Sequence, residues 1–164
     1  MSAEAGTQAR AAAVWHRLAE IEDPEIPALT IVDLGIVRFV EEREGGVLEV
    51  GLSPTYTGCP ATEHIERLVR EALESAGAAP YRITQVLKPA WSSDWISSEG
   101  RRKLADYGIV PPPGAAAALR AMPIACPRCR SSRTECVSQF GSTPCKALHR
   151  CLDCLEPFEC FKCI

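Results

Sequence analysis

The sequence predicts an α+β fold: a small sheet with helices packed on it, followed by a Cys-rich ribbon tail. Three observations carry that prediction. Apolar residues recur at helical spacing over residues 8–22 and again over Ala61–Ser75. Short alternating runs lie between and after them, with Gly45-Gly46 as a hairpin signal. Eight of the nine cysteines fall between Cys126 and Cys163.

In the first helix Val14, Leu18 and Ile21 share a face, with Trp15 beside them, and Ala11, Ala12 and Ala13 favour helix. Asp23-Pro24 stops it, because a residue before proline is pushed out of the helical region. Asp23-Pro24-Glu25-Ile26-Pro27 then reads as a turn or extended loop. Residues 36–42 and 47–52 read as paired strands. In the second helix Ile65, Leu68, Val69, Ala72 and Leu73 share a face, and Gly77 caps its end. Residues 81–87 read as a third strand. Helix, strand, strand, helix, strand suits helices layered on one side of a small sheet. Ser97 or Ser98 can cap a short helix through Tyr107. Pro111-Pro112-Pro113-Gly114 marks a break. The predicted organisation is a body over residues 1–110, a Pro/Ala-rich linker over 111–125 and a ribbon domain over 126–164.

Composition narrows the function class. Apolar residues at 46% and charged residues at 24% describe a globular chain of 164 residues. No apolar stretch approaches the roughly 18 residues of a membrane span. The first six residues lack a basic region followed by an apolar core, so no secretory signal is expected, and the expected compartment is the reducing cytoplasm. A net charge of −3 argues against nucleic-acid binding. In that compartment the clustered cysteines read as a metal site rather than as disulfides.

Cys59 stands apart from the other eight. The segment Ser53-Pro54-Thr55-Tyr56-Thr57-Gly58-Cys59-Pro60 joins a strand end to a helix start, and Pro60 suits a first helical turn. Cys59 is therefore expected at about the N-cap, where unpaired N–H groups and the helix dipole favour the thiolate, the form that binds metals. A small hydrophobe packed at a tight turn is the alternative. His64, Glu63 and Glu66 read as polar-face residues of the helix.

In the tail, Cys126-Pro127-Arg128-Cys129 and Cys151-Leu152-Asp153-Cys154 form two CxxC knuckles with 21 residues between them. Each knuckle offers two thiolates on one turn, and two knuckles complete a tetrahedron, as in a zinc ribbon. Residues 131–150 are long enough for a hairpin. So small a tail buries too little apolar surface to fold unaided, which makes a metal physically necessary. Four sulfurs with no open position imply a structural zinc, though a rubredoxin-like iron centre uses the same spacing. Cys145, Cys160 and Cys163 rank behind these four as ligands, and Cys136 and His149 offer further donors.

Several separated motifs resemble known families. Asp23-Pro24-Glu25-Ile26-Pro27, Ile31-Val32-Asp33-Leu34-Gly35-Ile36-Val37 and Thr57-Gly58-Cys59-Pro60-Ala61 resemble the iron–sulfur assembly domain family that includes SufT. Pro89-Ala90-Trp91-Ser92-Ser93-Asp94-Trp95-Ile96, Tyr107-Gly108-Ile109-Val110-Pro111-Pro112 and Phe140-Gly141-Ser142-Thr143-Pro144-Cys145-Lys146 resemble the PaaD (PaaJ) family, accessory subunits of bacterial phenylacetyl-CoA epoxidase systems. Ser92-Ser93 and Cys160 depart from that pattern, where Thr-Thr and an aromatic residue are expected. The resemblance implies a role in maturing the epoxidase, with transient iron or an iron–sulfur cluster at Cys59 and with Asp23 and Thr57 nearby. The implied partners are epoxidase subunits or iron–sulfur assembly proteins. A homodimer is a further expectation, with Trp91 and Trp95 as candidate anchors.

The chemistry-bearing motifs of an oxygenase are missing. His16, His64 and His149 follow Ala13, Ala61 and Lys146 at the third position, so there is no Glu-x-x-His pair for a di-iron site. No dinucleotide or phosphate-loop glycine motif occurs. The sequence therefore predicts an accessory protein rather than an enzyme. A stoichiometric structural subunit is the second reading, and a thiol-redox protein a third.

Overall fold

Val14 and Leu18, one helical turn apart, are both buried and set the inner face of α1 (Ser2–Leu18). The helix ends four residues before its expected end at Glu22. The Ile21 carbonyl accepts from Ile31 N–H at 3.0 Å, and Asp23 N–H donates to the Leu29 carbonyl at 2.8 Å. Glu22 bridges Thr30, so this stretch pairs with the returning loop rather than with the helix. The computed structural model describes residues 2–56, 58–114 and 123–164 and divides into two units, Met1–Trp91 and Ser92–Ile164. Thr57 and the middle of the predicted linker lie outside the described residues. Among the described residues no helix is long and apolar enough to cross a membrane.

In the first unit, the loop after α1 forms core rather than a tether. Ile26, Leu29, Ile31 and Leu34 are all buried. Asp23 is buried too, and its Oδ1 accepts from Glu25 N–H at 3.0 Å and Ile26 N–H at 2.8 Å, fixing the turn through Pro24. Thr30 and Asp33 exchange reciprocal side-chain-to-backbone bonds at 3.1 and 3.0 Å. Trp91 closes this core. Its indole is buried and donates to the Leu34 carbonyl at 2.9 Å, so it is a packing residue of this unit and not a partner anchor.

The sheet of the first unit has three strands in the order β1 (Val37–Glu42), β2 (Leu48–Leu52), β3 (Tyr81–Gln85). β1 and β2 are antiparallel, while β2 and β3 run parallel across α2 (Ala61–Ser75). β2 is buried along its whole length. Leu48, Val50 and Leu52 face the helices. Glu49 and Gly51 face the other side, with Phe39, Arg82 and Thr84 as their strand neighbours. Arg10 of α1 donates to the Gly46 carbonyl at 2.9 Å and the Ala79 carbonyl at 3.1 Å, tying the helix to the hairpin and to the entry of β3.

In the second unit, Ser97 caps α3 (Ser98–Asp106) by accepting from Gly100 N–H at 2.8 Å. A four-stranded sheet follows in the order β4-β7-β6-β5, built from β4 (Ile109–Val110), β5 (Thr134–Ser138), β6 (Lys146–Cys151) and β7 (Pro157–Phe161). The predicted hairpin is the β5–β6 pair. The predicted boundaries at 110 and 125 do not coincide with this partition, because Ile109 and Val110 pair with Glu159 and Cys160 and complete the edge of the ribbon sheet.

Two stability outcomes follow. A Cβ on Gly51 would clash with the Phe39 ring, so Gly51→Ala should destabilise the protein by about 1–3 kcal/mol in urea unfolding, with partial rescue by Phe39→Leu. Glu49 is held down at about 2 by the Arg43 hydrogen bond, then by the Thr84 hydroxyl and the Arg82 charge. Its folded value lies below the ordinary 4.5, so its stabilisation is complete above that pH and is lost as pH falls toward 2. Glu49→Gln should be less stable than wild type at pH 7, and its stability should fall less between pH 4.5 and pH 2.

Candidate functional site

β2 ends at Leu52 and α2 begins at Ala61, and the connecting segment carries Cys59 outside the carboxyl end of the central strand. Ser53 and Thr55 are buried and anchor the segment. Ser53 N–H donates to the Ile36 carbonyl at 2.8 Å. Gly58 has φ 81°, a left-handed conformation that glycine adopts without strain, and Cys59 N–H closes the turn onto the Tyr56 carbonyl at 3.2 Å. The N-cap position belongs to Pro60, one residue later than expected. With φ −64° and ψ −23°, Pro60 already has helical geometry. Cys59 lies just before it, half-buried, and its carbonyl accepts from Thr62 N–H at 3.1 Å. Its thiol is thus set beside the helix entry, with no side chain capping that end.

Asp23 and His64 line one open groove between the Asp23-Pro24 loop and α2, together with Glu20, Ile21, Glu22, Pro24, Pro27 and Leu68. Sequence reasoning placed His64 on a polar helix face and gave the groove no role. Only the fold of the loop onto α2 brings these residues together.

The second unit gathers four sulfurs. Those of Cys126, Cys129, Cys151 and Cys154 all lie within 4.8 Å of one another. Cys126 Sγ and Cys154 Sγ are 3.7 Å apart, and Cys129 Sγ and Cys151 Sγ are 3.5 Å apart. A tetrahedral ion with metal–sulfur bonds of about 2.3 Å requires sulfur–sulfur edges of about 3.8 Å, so the cage has the right size for such an ion.

The two knuckles are geometric copies. Cys126 N–H donates to the Ser131 carbonyl and Cys151 N–H to the Glu156 carbonyl, each at 2.9 Å and each five residues on. The residue after each second cysteine is left-handed, Arg130 at φ 64° and Leu155 at φ 63°. Asp153 braces the knuckles by accepting from Ser131 Oγ and from Arg133 Nη1, the latter at 2.6 Å.

The thiols respond to that crowding. Backbone N–H donation from Cys154 and then from Asp153 lowers the Cys151 thiol to about 7, despite its burial. The Cys154 thiol accepts from a backbone N–H at Glu156, which acts to lower it, yet burial and its three sulfur neighbours push it up to about 12. Four thiolates this close resist full ionisation by themselves, and a divalent cation removes that resistance.

The remaining cysteines stand apart from this cage. Cys145 is buried and its sulfur meets Thr143 Oγ1 at 3.0 Å. Cys160 lies within β7, where burial pushes its thiol up to about 11. Cys163 is exposed, and its sulfur contacts the Pro113 carbonyl at 3.6 Å. The third CxxC therefore begins on an extended strand and is not a knuckle.

Comparison with known proteins agrees with this anatomy. Residues 11–82 match the family model of iron–sulfur cluster assembly proteins, and residues 111–162 match the PaaD zinc beta ribbon domain. A crystal structure of a domain of unknown function from Bacillus anthracis shares the fold, with a TM-score of 0.56 and 24% identity over 62% of this chain and 96% of that one. The Fe–S protein maturation auxiliary factor of Porphyromonas gingivalis is 33% identical over 56% of this chain and 87% of its own length. Fold and site together define an iron–sulfur assembly-type α+β unit joined in one chain to a four-cysteine ribbon. A 1,2-phenylacetyl-CoA epoxidase subunit of Escherichia coli K12 is 49% identical over 92% of both chains. The chain belongs to the PaaD family.

The cage makes a direct prediction. Protein purified without chelator should carry about one tetrahedrally bound ion per chain. Cys151→Ser should lose most of it and unfold the ribbon, read as lost β-sheet signal in circular dichroism. Retention of the ion in that variant would show that other donors hold it.

Proposed function

We propose that this chain is an accessory factor that matures a multicomponent phenylacetyl-CoA epoxidase, with Cys59 as the working thiol and the ribbon as a rigid, metal-closed docking element. The carrying observation is the half-buried thiol at the strand–helix junction of an iron–sulfur assembly-type unit. A sulfur in that position is accessible enough to take a soft cation and is held by a turn that needs no rearrangement. Iron, or an iron–sulfur cluster in transit, is cargo in this reading and not a resident group. Asp23 shapes the loop that faces α2, and Thr57 belongs to the same family motif as Cys59.

In the ribbon, Cys126, Cys129, Cys151 and Cys154 would hold zinc. Four thiolates leave no open coordination position, so the ion supplies folding energy and no catalysis. The chain acts on protein partners, epoxidase subunits or iron–sulfur assembly proteins, and carries out no epoxidation itself. A stoichiometric structural role is the second reading, favoured by the name of the Escherichia coli relative as a subunit.

Cys59→Ser keeps the size of the side chain and removes the soft ligand. It should leave the fold and the ribbon metal unchanged. Epoxidase produced alongside the variant should contain less iron and show proportionally less activity, while epoxidase already matured should need no added accessory chain. Fully metallated, active epoxidase from the variant strain would refute the role of Cys59. Loss of turnover when the chain is stripped from matured epoxidase would favour the structural reading.

A further inference from the structure

We propose that the groove between the Asp23-Pro24 loop and α2 docks a short basic segment of a partner protein that carries one apolar anchor residue. The groove is about 460 Å³ and open to solvent. Its apolar surface is Ile21 and Leu68, both half-buried, with exposed Pro24 and Pro27 as a wall. Glu20, Glu22 and Asp23 bring three carboxylates to it.

Nearby cations do not cancel that charge. Arg17 pairs with Glu20 at 3.2 Å, and Arg67, which meets His64 Nδ1 at 3.2 Å, is tied to Glu71 at 2.6 Å. Glu22 has no ion pair among the described residues. The first 91 residues hold eight Lys and Arg against fourteen Asp and Glu, so the local field reinforces the rim.

The groove is also built in advance. Asp23 Oδ1 accepts from two backbone N–H groups, which holds the proline wall in place. A preformed apolar floor with a charged rim lowers the ordering cost of binding a flexible segment. Other occupants fit less well. A metal ion would need converging donors, and among the described residues the four-cysteine cage is the group that converges. A nucleic acid would meet an acidic rim.

Position links the groove to the thiol. His64 and Leu68 follow Cys59 by five and nine residues along α2, which at 1.5 Å per residue is on the order of 10 Å. A segment seated there would hold its protein beside Cys59. This link rests on the maturation reading, whereas the docking itself does not.

The test is fluorescence anisotropy with a labelled peptide of about 12 residues that alternates Lys and Leu, added to the full chain. Saturable binding is expected, weakening several-fold as salt rises from about 50 to about 300 mM. Glu22→Lys and Leu68→Gln should each weaken it at least about fivefold, a loss equal to roughly 1 kcal/mol. Glu44→Lys makes the same charge change on the hairpin, away from the groove, and should weaken it less than twofold. Equal losses from Glu22→Lys and Glu44→Lys, or no binding, would overturn the proposal. So would self-association that competes with the peptide and disappears in Glu22→Lys, since the occupant would then be a second copy. Each variant is checked by circular dichroism, and Leu68→Met is the fallback that keeps the fold. It should bind like wild type, and a large loss there would mean that packing rather than the groove was disturbed. Cys59→Ser should bind the peptide normally, so failure of the maturation role and failure of docking give different results.

Discussion

Four cysteine sulfurs held within 4.8 Å of one another are the constraint on which the second unit depends. Its buried cluster is Cys126, Cys151 and Phe158, with Val110, Ile124 and Cys154 packed against it. Three of those six residues are thiols of the cage. A core this small gains little from apolar burial alone, and its thiols cannot all ionise without a cation. Metal and fold are therefore one equilibrium here. Each supporting contact, from the paired knuckle hydrogen bonds to the Asp153 brace, acts by keeping the sulfurs at coordination distance.

The first unit rests on a different device. β2 is buried on both faces although the helices cover only one. On the other face Phe39 lies over Gly51, and Arg43 stacks on the Phe39 ring at 5.5 Å while reaching Glu49. Glu49 also meets Arg82 and Thr84 at 3.1 and 2.8 Å. This charged lid makes β2 a rigid central strand. The rigidity matters because the chain leaving its carboxyl end carries Cys59. A thiol on a firm strand–helix junction can receive and release a soft ion without the entropy cost of ordering a loop.

Much of this was legible in the sequence, for identifiable reasons. Helical spacing found α2, and the CxxC spacing found the four caged sulfurs, because each pattern is a local geometric requirement. Ser97 was recognisable as a cap because capping is local too. The misjudged features depend on distant pairing. α1 stops at Leu18 because Ile21 and Asp23 bond to the returning loop, which periodicity cannot register. Ile109 and Val110 looked like the end of the body but pair with β7. Trp91 looked like an exposed anchor, yet its indole N–H finds the Leu34 carbonyl 57 residues away. The groove was invisible for the same reason, since its residues come from two segments about 40 positions apart.

The account divides labour between a closed structural cage and an open working thiol. X-ray absorption at the zinc and iron edges, on anaerobically prepared protein loaded with ferrous iron, tests that division directly. The account predicts zinc with four sulfur neighbours at about 2.3 Å in both wild type and Cys59→Ser, and iron bound by wild type but lost in the variant. Iron seated in the four-sulfur cage, or iron binding unchanged by Cys59→Ser, would contradict it.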